Sequence, residues 1–395
     1  MTEARPRPRI LVLASTYPRW AGDPEPGFVH ALSARLSIGH DVVVVCPHSP
    51  GSEVDEVLDG VRVVRYRYAP SRWETLVSDG GIMGNLRRAR WKWLLLPGFV
   101  LGQLLAVVRL LRQLRPGAVH AHWIIPQGLV AVIALAISRV PAGLLVTSHG
   151  ADLYSLRSRG LMAIKRLVLR RADAITVVSR AMVPAVQGIL PGAKVEVEPM
   201  GVDLKRYAPD PTVERSANEV LFVGRLVEKK GVGHLLDAWV QVLAQRPDAR
   251  LDIVGFGPLE AQLKARCEAL GISGSVRFVG PLPQDALPGK YRRAAVFVAP
   301  FIVAADGDQE GLGLVLVEAA GCGCPVVAGD VPAVRDVLGG SNAGTIVAAD
   351  NPGALSRAIL DAMQGGAIDP AAVARFDWDA RAAAYAGLLA GMRAQ

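Results

Sequence analysis

Two glutamates eight residues apart, Glu310 and Glu318, flank a glycine-punctuated turn in the segment EGLGLVLVE. The apolar run after the turn predicts a helix, and the first turn of a helix offers free N–H groups and the positive end of its dipole. The backbone of Gly313, Leu314 and Val315 is therefore a candidate anion site. Carboxylates beside a bound anion fit best as acceptors of hydroxyl hydrogen bonds, here from a sugar and a ribose. If each glutamate is considered alone, the alternative is that one is a surface residue and the other lies on a helix face, with no common function.

A basic turn directly follows the predicted strand EVLFV and has the sequence GRLVEKKG over residues 224–231. An arginine and a lysine at the carboxyl end of a strand suit a diphosphate, because Arg225 can donate two parallel hydrogen bonds and Lys230 adds a point charge. A solvated basic turn is the alternative. Of the two lysines, Lys229 fits mere surface exposure better than Lys230 does.

Histidines and paired aspartates supply the remaining candidates for chemistry. His149 follows the predicted strand GLLVTS in the sequence SHGAD and should face a ligand at the carboxyl edge of a parallel sheet, although a lone histidine also fits a structural role. His120 and His122 share one face of the predicted strand AVHAHW, and without a third ligand we interpret them as structural or acceptor-lining residues, not as zinc ligands. Asp306 and Asp308 have the spacing of a metal clamp, but their loop position favours no metal.

Short β-branched runs alternate with helical patterns along the chain, which is typical of parallel sheets with crossover helices. The first pass of this pattern ends near residue 201, and a second pass begins after Asp203. The sequence therefore predicts an α/β protein with two Rossmann-like domains in tandem. Ligands of such sheets bind outside the carboxyl ends of the strands, which is where the candidate residues fall.

Composition and charge narrow the function classes. The 395 residues are enough for two domains, and 51% hydrophobic with 20% charged residues excludes a disordered or low-complexity chain. Residues 1–202 carry 25 basic and 14 acidic side chains, whereas residues 203–395 carry 19 and 22. No nucleic-acid-binding motif accompanies the basic half, so we expect no nucleic-acid partner.

Residues 87–115 combine tryptophans and an apolar stretch with flanking cations. The cations are Arg87, Arg88, Arg90, Lys92, Arg109, Arg112 and Arg115. Such a segment suits the surface of an anionic membrane, although a domain helix with a solvated basic end fits it equally well. Proline and glycine interrupt the apolar stretches 94–108 and 124–138, so we expect neither to span a bilayer.

Taken together, these motifs resemble family 4 of the retaining glycosyltransferases (glycosyltransferase group 1), which have the GT-B fold. The resemblance rests on GRLVEKKG, on the Glu-x7-Glu helix start followed by CGCPVVAGD, and on HGAD, PMGVD and LSIGHDVVVV. It implies two Rossmann-like domains that face each other across a cleft. The first, residues 1–201, would bind the acceptor, and the second, residues 202–370, the nucleotide sugar. Residues 371–395 would form a C-terminal helix that packs back on the first domain.

The resemblance also implies a reaction: retaining transfer of a hexosyl group from a UDP- or GDP-sugar to a glycan, lipid-linked or small-molecule acceptor. No cofactor and no obligatory metal would be required. Arg225 and Lys230 would neutralise the donor diphosphate, and Glu318 would accept hydrogen bonds from the ribose. The N–H groups from Gly313 to Val315 would bind the sugar or the phosphate.

Two residues are implied as catalytic: Glu310 would contact the donor-sugar hydroxyls, and His149 would lie near the reacting carbon. The loop after the first strand, GDPEPGFV, keeps only Gly27 of the paired glycines that approach the donor phosphate in this family.

The resemblance also implies that the biological setting is the synthesis of cell-envelope glycans or glycolipids. The reaction would take place in the cytoplasm, since the four cysteines form no disulfide framework and no signal-peptide pattern precedes the first strand. The enzyme could also be peripheral on the inner face of the membrane.

Three other functions stay open at this stage. A nucleotide-sugar epimerase or hydrolase could share the fold and the anion site without needing an acceptor. A dinucleotide oxidoreductase would use the glycines of Gly255-x-Gly257 after a strand, but Glu260 stands where a third glycine belongs. The last alternative is a non-catalytic protein of the membrane surface.

Overall fold

The structure, a computed structural model, describes residues 7–23, 27–77, 81–155, 157–339, 343–366 and 368–392. Residues 24–26 of the predicted phosphate-approaching loop and residues 393–395 of the predicted terminal helix lie outside the described residues. The chain divides into two compact units. The first comprises Met1–Val178, Met182–Glu198 and Arg381–Gln395, and the second comprises Ser179–Ala181 and Pro199–Ala380.

The first unit is built on an eight-stranded sheet. Its strands are β1 (Arg9–Leu13), β2 (Asp41–Pro47), β3 (Asp55–Leu58), β4 (Val61–Tyr66), β5 (Ala118–His122), β6 (Gly143–Ser148), β7 (Ala174–Val177) and β8 (Glu196–Val197). They lie in the order β3-β4-β2-β1-β5-β6-β7-β8. Only β3 and β4 pair in antiparallel fashion. The central strands are buried over most of their length, as expected of a parallel sheet covered by helices on both faces.

Seven α-helices connect these strands. They are α1 (Phe28–Leu36), α2 (Gly81–Arg88), α3 (Leu96–Leu114), α4 (Leu129–Ser138), α5 (Ala151–Tyr154), α6 (Arg159–Arg171) and α7 (Val183–Ile189). The longest, α3, buries Phe99, Val107, Leu110 and Leu111 along one face, at the spacing of an amphipathic helix.

The second unit repeats the architecture with six parallel strands in the order β11-β10-β9-β12-β13-β14. The strands are β9 (Glu219–Val223), β10 (Arg250–Val254), β11 (Val276–Gly280), β12 (Val296–Ala299), β13 (Val326–Gly329) and β14 (Thr345–Val347). The helices are α8 (Val232–Gln245), α9 (Glu260–Ala269), α10 (Leu287–Arg293), α11 (Leu314–Gly321), α12 (Pro332–Leu338) and α13 (Pro352–Met363), followed by α14 (Trp378–Gly391), whose residues from Arg381 belong to the first unit. Trp239 is fully buried in a hydrophobic core of this unit and donates its indole N–H to Ser275 Oγ at 3.0 Å.

The alternation of strands and helices agrees with the sequence prediction in both halves. The unit boundary falls between Glu198 and Pro199, close to the expected residue 201. The terminal segment passes to the first unit at Arg381, later than the expected residue 371.

Proline does not interrupt the first of the two apolar segments. The helical stretch Arg90–Leu114 runs through Pro97 without interruption, because a proline in the first turn of α3 removes only an N–H that would have had no helical partner. With 25 residues and a mean hydropathy of 2.1 over its most apolar window, it is the one helix in the described part of the chain long and apolar enough to cross a bilayer. That window is 33% buried, and core helices meet the same two criteria.

Candidate active site

The basic turn of the second unit lies directly at the end of β9. Gly224 leaves the strand, and Glu228–Lys230 form a single 3-10 turn that ends at Gly231. Gly231 has a φ of +68°, and a Cβ there would lie 1.7 Å from the carbonyl oxygen of Pro300. This glycine is therefore required by the fold, since it lets the turn lie against the chain that leaves β12.

The loop after β12 is tied to this basic turn along its length. Ile302 donates its N–H to the carbonyl of Lys229 at 3.0 Å, and Ala305 donates its N–H to the Glu228 carboxylate at 2.9 Å. Lys229 Nζ lies 3.2 Å from the Asp308 carboxylate and also donates to the carbonyl of Gln309 at 3.2 Å. β9 and β12 are neighbours in the sheet, so the two loops are adjacent because their strands end side by side.

Lys229 is slightly more exposed than Lys230, at 19% against 14%, but it is not merely a surface residue, because it forms the ion pair with Asp308. Asp306 accepts a hydrogen bond from the N–H of Asp308 at 3.0 Å. Asp308 thus has a cationic partner from the chain itself.

Lys230 and Glu310, both predicted as donor ligands, are in direct contact. Lys230 Nζ lies 2.6 Å from Glu310 Oε2 and 4.4 Å from the ring centre of Phe301. Burial on its own would raise the pKa of Glu310, but the charges of Lys230 and Lys229 outweigh it and lower that pKa to about 2. Glu310 is therefore an anion throughout the physiological pH range.

Glu318 has the opposite electrostatic environment. It lies in the second turn of α11 and accepts a hydrogen bond from the Tyr291 hydroxyl at 2.9 Å. Burial is the dominant influence and raises the pKa of Glu318 to about 7, despite the hydrogen bond from Tyr291. The two glutamates of the motif therefore differ in charge state near neutral pH. Sequence analysis did not identify Tyr291, because it lies on α10, 27 residues before Glu318.

Helix α11 begins as the sequence predicts, with Glu310 before it and Glu318 within it. Gly313 caps the helix with a φ of +87°, and no side chain bonds to the N–H groups of the first turn. Those N–H groups include those of Leu314 and Val315, so the helix start can accept an anion. Arg225 is half-buried and follows β9 directly, in the same second unit.

His149 of the first unit lies directly after β6 and is packed between aromatic rings. Its ring centre is 4.9 Å from that of Phe28, 5.0 Å from that of Trp123 and 5.2 Å from that of His122. Asp152 fixes its backbone by accepting hydrogen bonds from the His149 N–H at 3.3 Å and from the Ile124 N–H at 2.7 Å. Burial lowers the pKa of His149 to about 3, so the ring is neutral at neutral pH.

His120 and His122, predicted as structural or acceptor-lining, are both fully buried. His120 Nε2 lies 2.8 Å from Thr147 Oγ1, and His122 Nδ1 lies 2.9 Å from His149 Nε2. The contact with His149 was not foreseen from the sequence. It arises because β5 and β6 pair in register, with His122 opposite Thr147.

Gly27 immediately precedes Phe28, and so lies next to the residue that packs on His149. Its φ is −92°, and a Cβ there would meet only Pro18, at 3.9 Å. The fold does not require glycine at this position. Among the described residues, no group of three or more His, Cys, Asp or Glu side chains could hold a metal ion.

The GT-B glycosyltransferases have this architecture: two α/β units, with the candidate binding residues at the carboxyl ends of parallel strands. A sucrose-phosphate synthase from Thermosynechococcus elongatus has this fold, with a TM-score of 0.74 at 22% identity, covering 98% of this chain and 99% of the other. Anabaena HepE in complex with UDP and glucose has a TM-score of 0.71 at 20% identity, covering 97% and 100% of the two chains. The predicted GT-B fold class is confirmed.

The sequence comparisons identify the family. Residues 24–201 match the glycosyl transferase 4-like domain, and residues 207–375 match glycosyl transferases group 1. A GDP-mannose-dependent alpha-(1-6)-phosphatidylinositol monomannoside mannosyltransferase from Mycolicibacterium smegmatis is 32% identical over 273 residues, 63% of this chain and 70% of the relative. The chain belongs to the group 1 glycosyltransferases, as its motifs predict.

The contrast between Gly231 and Gly27 gives a test of stability. Gly231→Ala should lower the melting temperature by at least ~4 °C, equivalent to ~2 kcal/mol, because its Cβ collides with backbone in a left-handed conformation. Gly27→Ala should leave the melting temperature unchanged, because the space and the φ both allow alanine. Thermal unfolding followed by circular dichroism measures both. Equal losses in the two variants would contradict the assignment of a structural role to Gly231 alone.

Proposed function

We propose that this glycosyltransferase moves a hexosyl group from a UDP- or GDP-sugar to a glycan, lipid-linked or small-molecule acceptor, with retention of configuration and without an obligatory metal. The observation that carries the proposal is the Lys230–Glu310 pair beside the start of α11, where no side chain bonds to the N–H groups of the first turn. It puts a cation, an anion and free N–H groups within one loop cluster, as a diphosphate joined to a sugar demands.

On the donor side, the diphosphate binds Arg225 and Lys230 and the N–H groups from Gly313 to Val315. An arriving diphosphate offers Lys230 two negative charges in place of one carboxylate. Glu310 is then released to accept hydrogen bonds from the sugar hydroxyls, while Glu318 accepts from the ribose. Cations and N–H groups that stabilise the leaving diphosphate provide the charge compensation that a metal supplies in other transferases.

Acceptor and setting are proposed from the relatives. The Mycolicibacterium smegmatis mannosyltransferase supports GDP-mannose as the first donor to test and a phosphatidylinositol mannoside as the first acceptor. Such acceptors belong to cell-envelope glycolipid synthesis, and we place the reaction in the cytoplasm, at the inner face of the membrane. We also propose that His149 lies near the reacting carbon of the donor sugar.

Binding of UDP, GDP, ADP and their sugars, followed by thermal shift and calorimetry, tests the donor proposal. One nucleotide series should stabilise the wild-type protein, and Lys230→Ala should weaken donor binding by ~10-fold or more, because a charge-assisted contact to phosphate is lost. Lys264→Ala is the matched control, since this exposed lysine pairs with Glu260 on α9 and lies over the Phe278 ring, and neither contact is to a predicted donor ligand. Equal donor affinity in the wild type and in Lys230→Ala would refute the assignment.

The products of the same reaction test the finer claims. NMR of the glycoside should show the anomeric configuration of the donor, and the rate should be unchanged by EDTA. An inverted product would exclude the retaining mechanism. Release of free sugar at the same rate with and without acceptor would favour the hydrolase, and isomerised donor would favour the epimerase.

The raised pKa of Glu318 predicts a pH-dependent donor affinity. Its carboxyl is about half ionised near pH 7, and the carboxylate is the better acceptor for a ribose hydroxyl. Affinity for the nucleotide sugar should therefore rise ~5-fold from pH 6 to pH 8, as ~1 kcal/mol of additional hydrogen bonding appears. Calorimetry with the intact sugar nucleotide avoids titration of a terminal phosphate. Glu318→Gln should bind with a flat pH profile, and the same rise in that variant would exclude Glu318 as the titrating group.

We further propose that residues 87–115 contact an anionic membrane surface. Leu94, Leu101 and Leu105 recur along one face of the helical stretch and are 82%, 55% and 62% exposed, and Trp93 beside them is 54% exposed. The arginines that flank this face are exposed as well. Lys92, expected to be part of the basic cluster, instead donates to the Thr75 carbonyl at 2.8 Å and to Asn85 Oδ1 at 2.9 Å.

Flotation with phosphatidylglycerol vesicles tests the membrane contact. The wild-type protein should float at low salt and float less at high salt, because the attraction of arginines to anionic headgroups is screened. Leu101→Glu should abolish flotation. Ile38→Glu is the matched control, since Ile38 is 77% exposed but lies outside this face. No flotation of the wild type at low salt would exclude the membrane contact.

A further inference from the structure

We propose that His122 is a positioning residue that holds His149 in the tautomer protonated on Nδ1. His149 then presents its Nδ1–H as a hydrogen-bond donor to an oxygen of the bound substrate. The tautomer assignment follows from the geometry of the first unit alone. Its use in catalysis rests on the proposed function.

The geometry joins the two rings by one hydrogen bond. His122 Nδ1 lies 2.9 Å from His149 Nε2, and the ring planes are only 17° apart. One nitrogen must donate and the other must accept, since two bare lone pairs or two N–H groups would repel each other at this distance. A neutral pair therefore has two arrangements, with the proton either on His122 Nδ1 or on His149 Nε2.

Both rings are neutral, which excludes a charged arrangement. Burial lowers the pKa of His149 to about 3 and holds the pKa of His122 well below its usual value of 6.5. Each ring consequently carries one N–H and one acceptor nitrogen at neutral pH.

The far side of His122 decides between the two arrangements. His122 is fully buried, and its Nε2 has no hydrogen-bond partner among the described residues. If His149 donated, the proton of His122 would have to sit on this nitrogen, as a buried N–H with nothing to accept it. If His122 donates from Nδ1, only a lone pair is left unpaired. Buried N–H groups without an acceptor are the rarer of the two defects in proteins, so His122 is the donor.

Neighbouring side chains prevent the His122 ring from turning to another partner. The ring centre of His120 lies 4.0 Å from that of His122. His120 is itself held by Thr147 Oγ1 at 2.8 Å, and Thr147 bonds to Thr176 Oγ1 at 2.6 Å. Tyr385 stacks on the other side of His120, with ring centres 5.5 Å apart. The donor therefore has a fixed direction.

His149 is arranged to use the tautomer that results. Its Nε2 is taken by His122, and no described residue bonds to its Nδ1. The ring is half-buried, in contrast to the fully buried His120 and His122. Phe28 and Trp123 pack against it, so a substrate oxygen that reaches Nδ1 meets a neutral donor with a fixed ring orientation.

Histidine-selective 15N labelling of the full-length protein reads the tautomers directly, without substrate. Long-range 1H–15N correlation spectra of the wild type should show a protonated Nδ1 and a bare Nε2 for His149, and the same for His122. His149→Gln assigns the signals by their loss. In His122→Phe the His149 signals should shift toward protonation on Nε2. In His122→Asn, whose amide can place an N–H where Nδ1 was, they should stay as in the wild type.

Turnover gives the second readout. His122→Phe should lower kcat by ~10-fold or more and change KM for the donor less than ~2-fold, because a misplaced proton impairs the reaction and not binding. His122→Asn should recover to within ~3-fold of the wild type. A purely structural role for His122 would instead lower the melting temperature and raise KM without moving the His149 signals.

A His149 protonated on Nε2 in the wild type would overturn the proposal, as would unchanged His149 signals in His122→Phe or an Asn variant as slow as the Phe variant. If His122→Phe fails to fold, the wild-type and Asn spectra still decide the tautomer. A protein that shows the expected tautomers but transfers no sugar would refute the proposed function and leave the positioning role of His122 intact.

Discussion

The adjacency of two parallel strands is the constraint on which the candidate site of the second unit depends. β9 and β12 are neighbours in the sheet although more than 70 residues separate them in the chain. Their following loops therefore emerge side by side, and the ion pairs of Lys229 with Asp308 and of Lys230 with Glu310 become local contacts. A charged pair that is largely removed from water needs such fixed geometry, because the loss of hydration offsets most of its attraction.

This arrangement also explains why the overall charge of the chain says little about the charge at the candidate site. The second half of the sequence, which carries this site, has more acidic than basic residues. Lys229 and Lys230 lie at the site because Asp308 and Glu310 on the adjacent loop pair with them. The positive charge of the first half lies elsewhere, including the exposed arginines that flank the apolar face between residues 87 and 115.

The sequence singles out individual chemical groups but does not predict which of them pair. Glu310, Glu318, Arg225 and Lys230 are recognisable because each stands at a fixed offset from a strand end or a helix start, which short-range patterns encode. Tyr291 was missed because its contact with Glu318 depends on how α10 packs on α11. The same limit applies to Lys229, whose partner Asp308 is 79 residues away and reachable only once the sheet order is known. Strand alternation fixes the fold class, but sheet order and register fix the partners.

The Lys230–Glu310 pair and the histidine cluster are two different ways of burying polar groups. In the Lys230–Glu310 pair the charges are opposite, and the neighbouring lysines lower the pKa of Glu310. In the first unit, burial lowers the pKa values of His120, His122 and His149, so the cluster is neutral. A neutral cluster cannot act through charge and must act through the direction of its N–H groups.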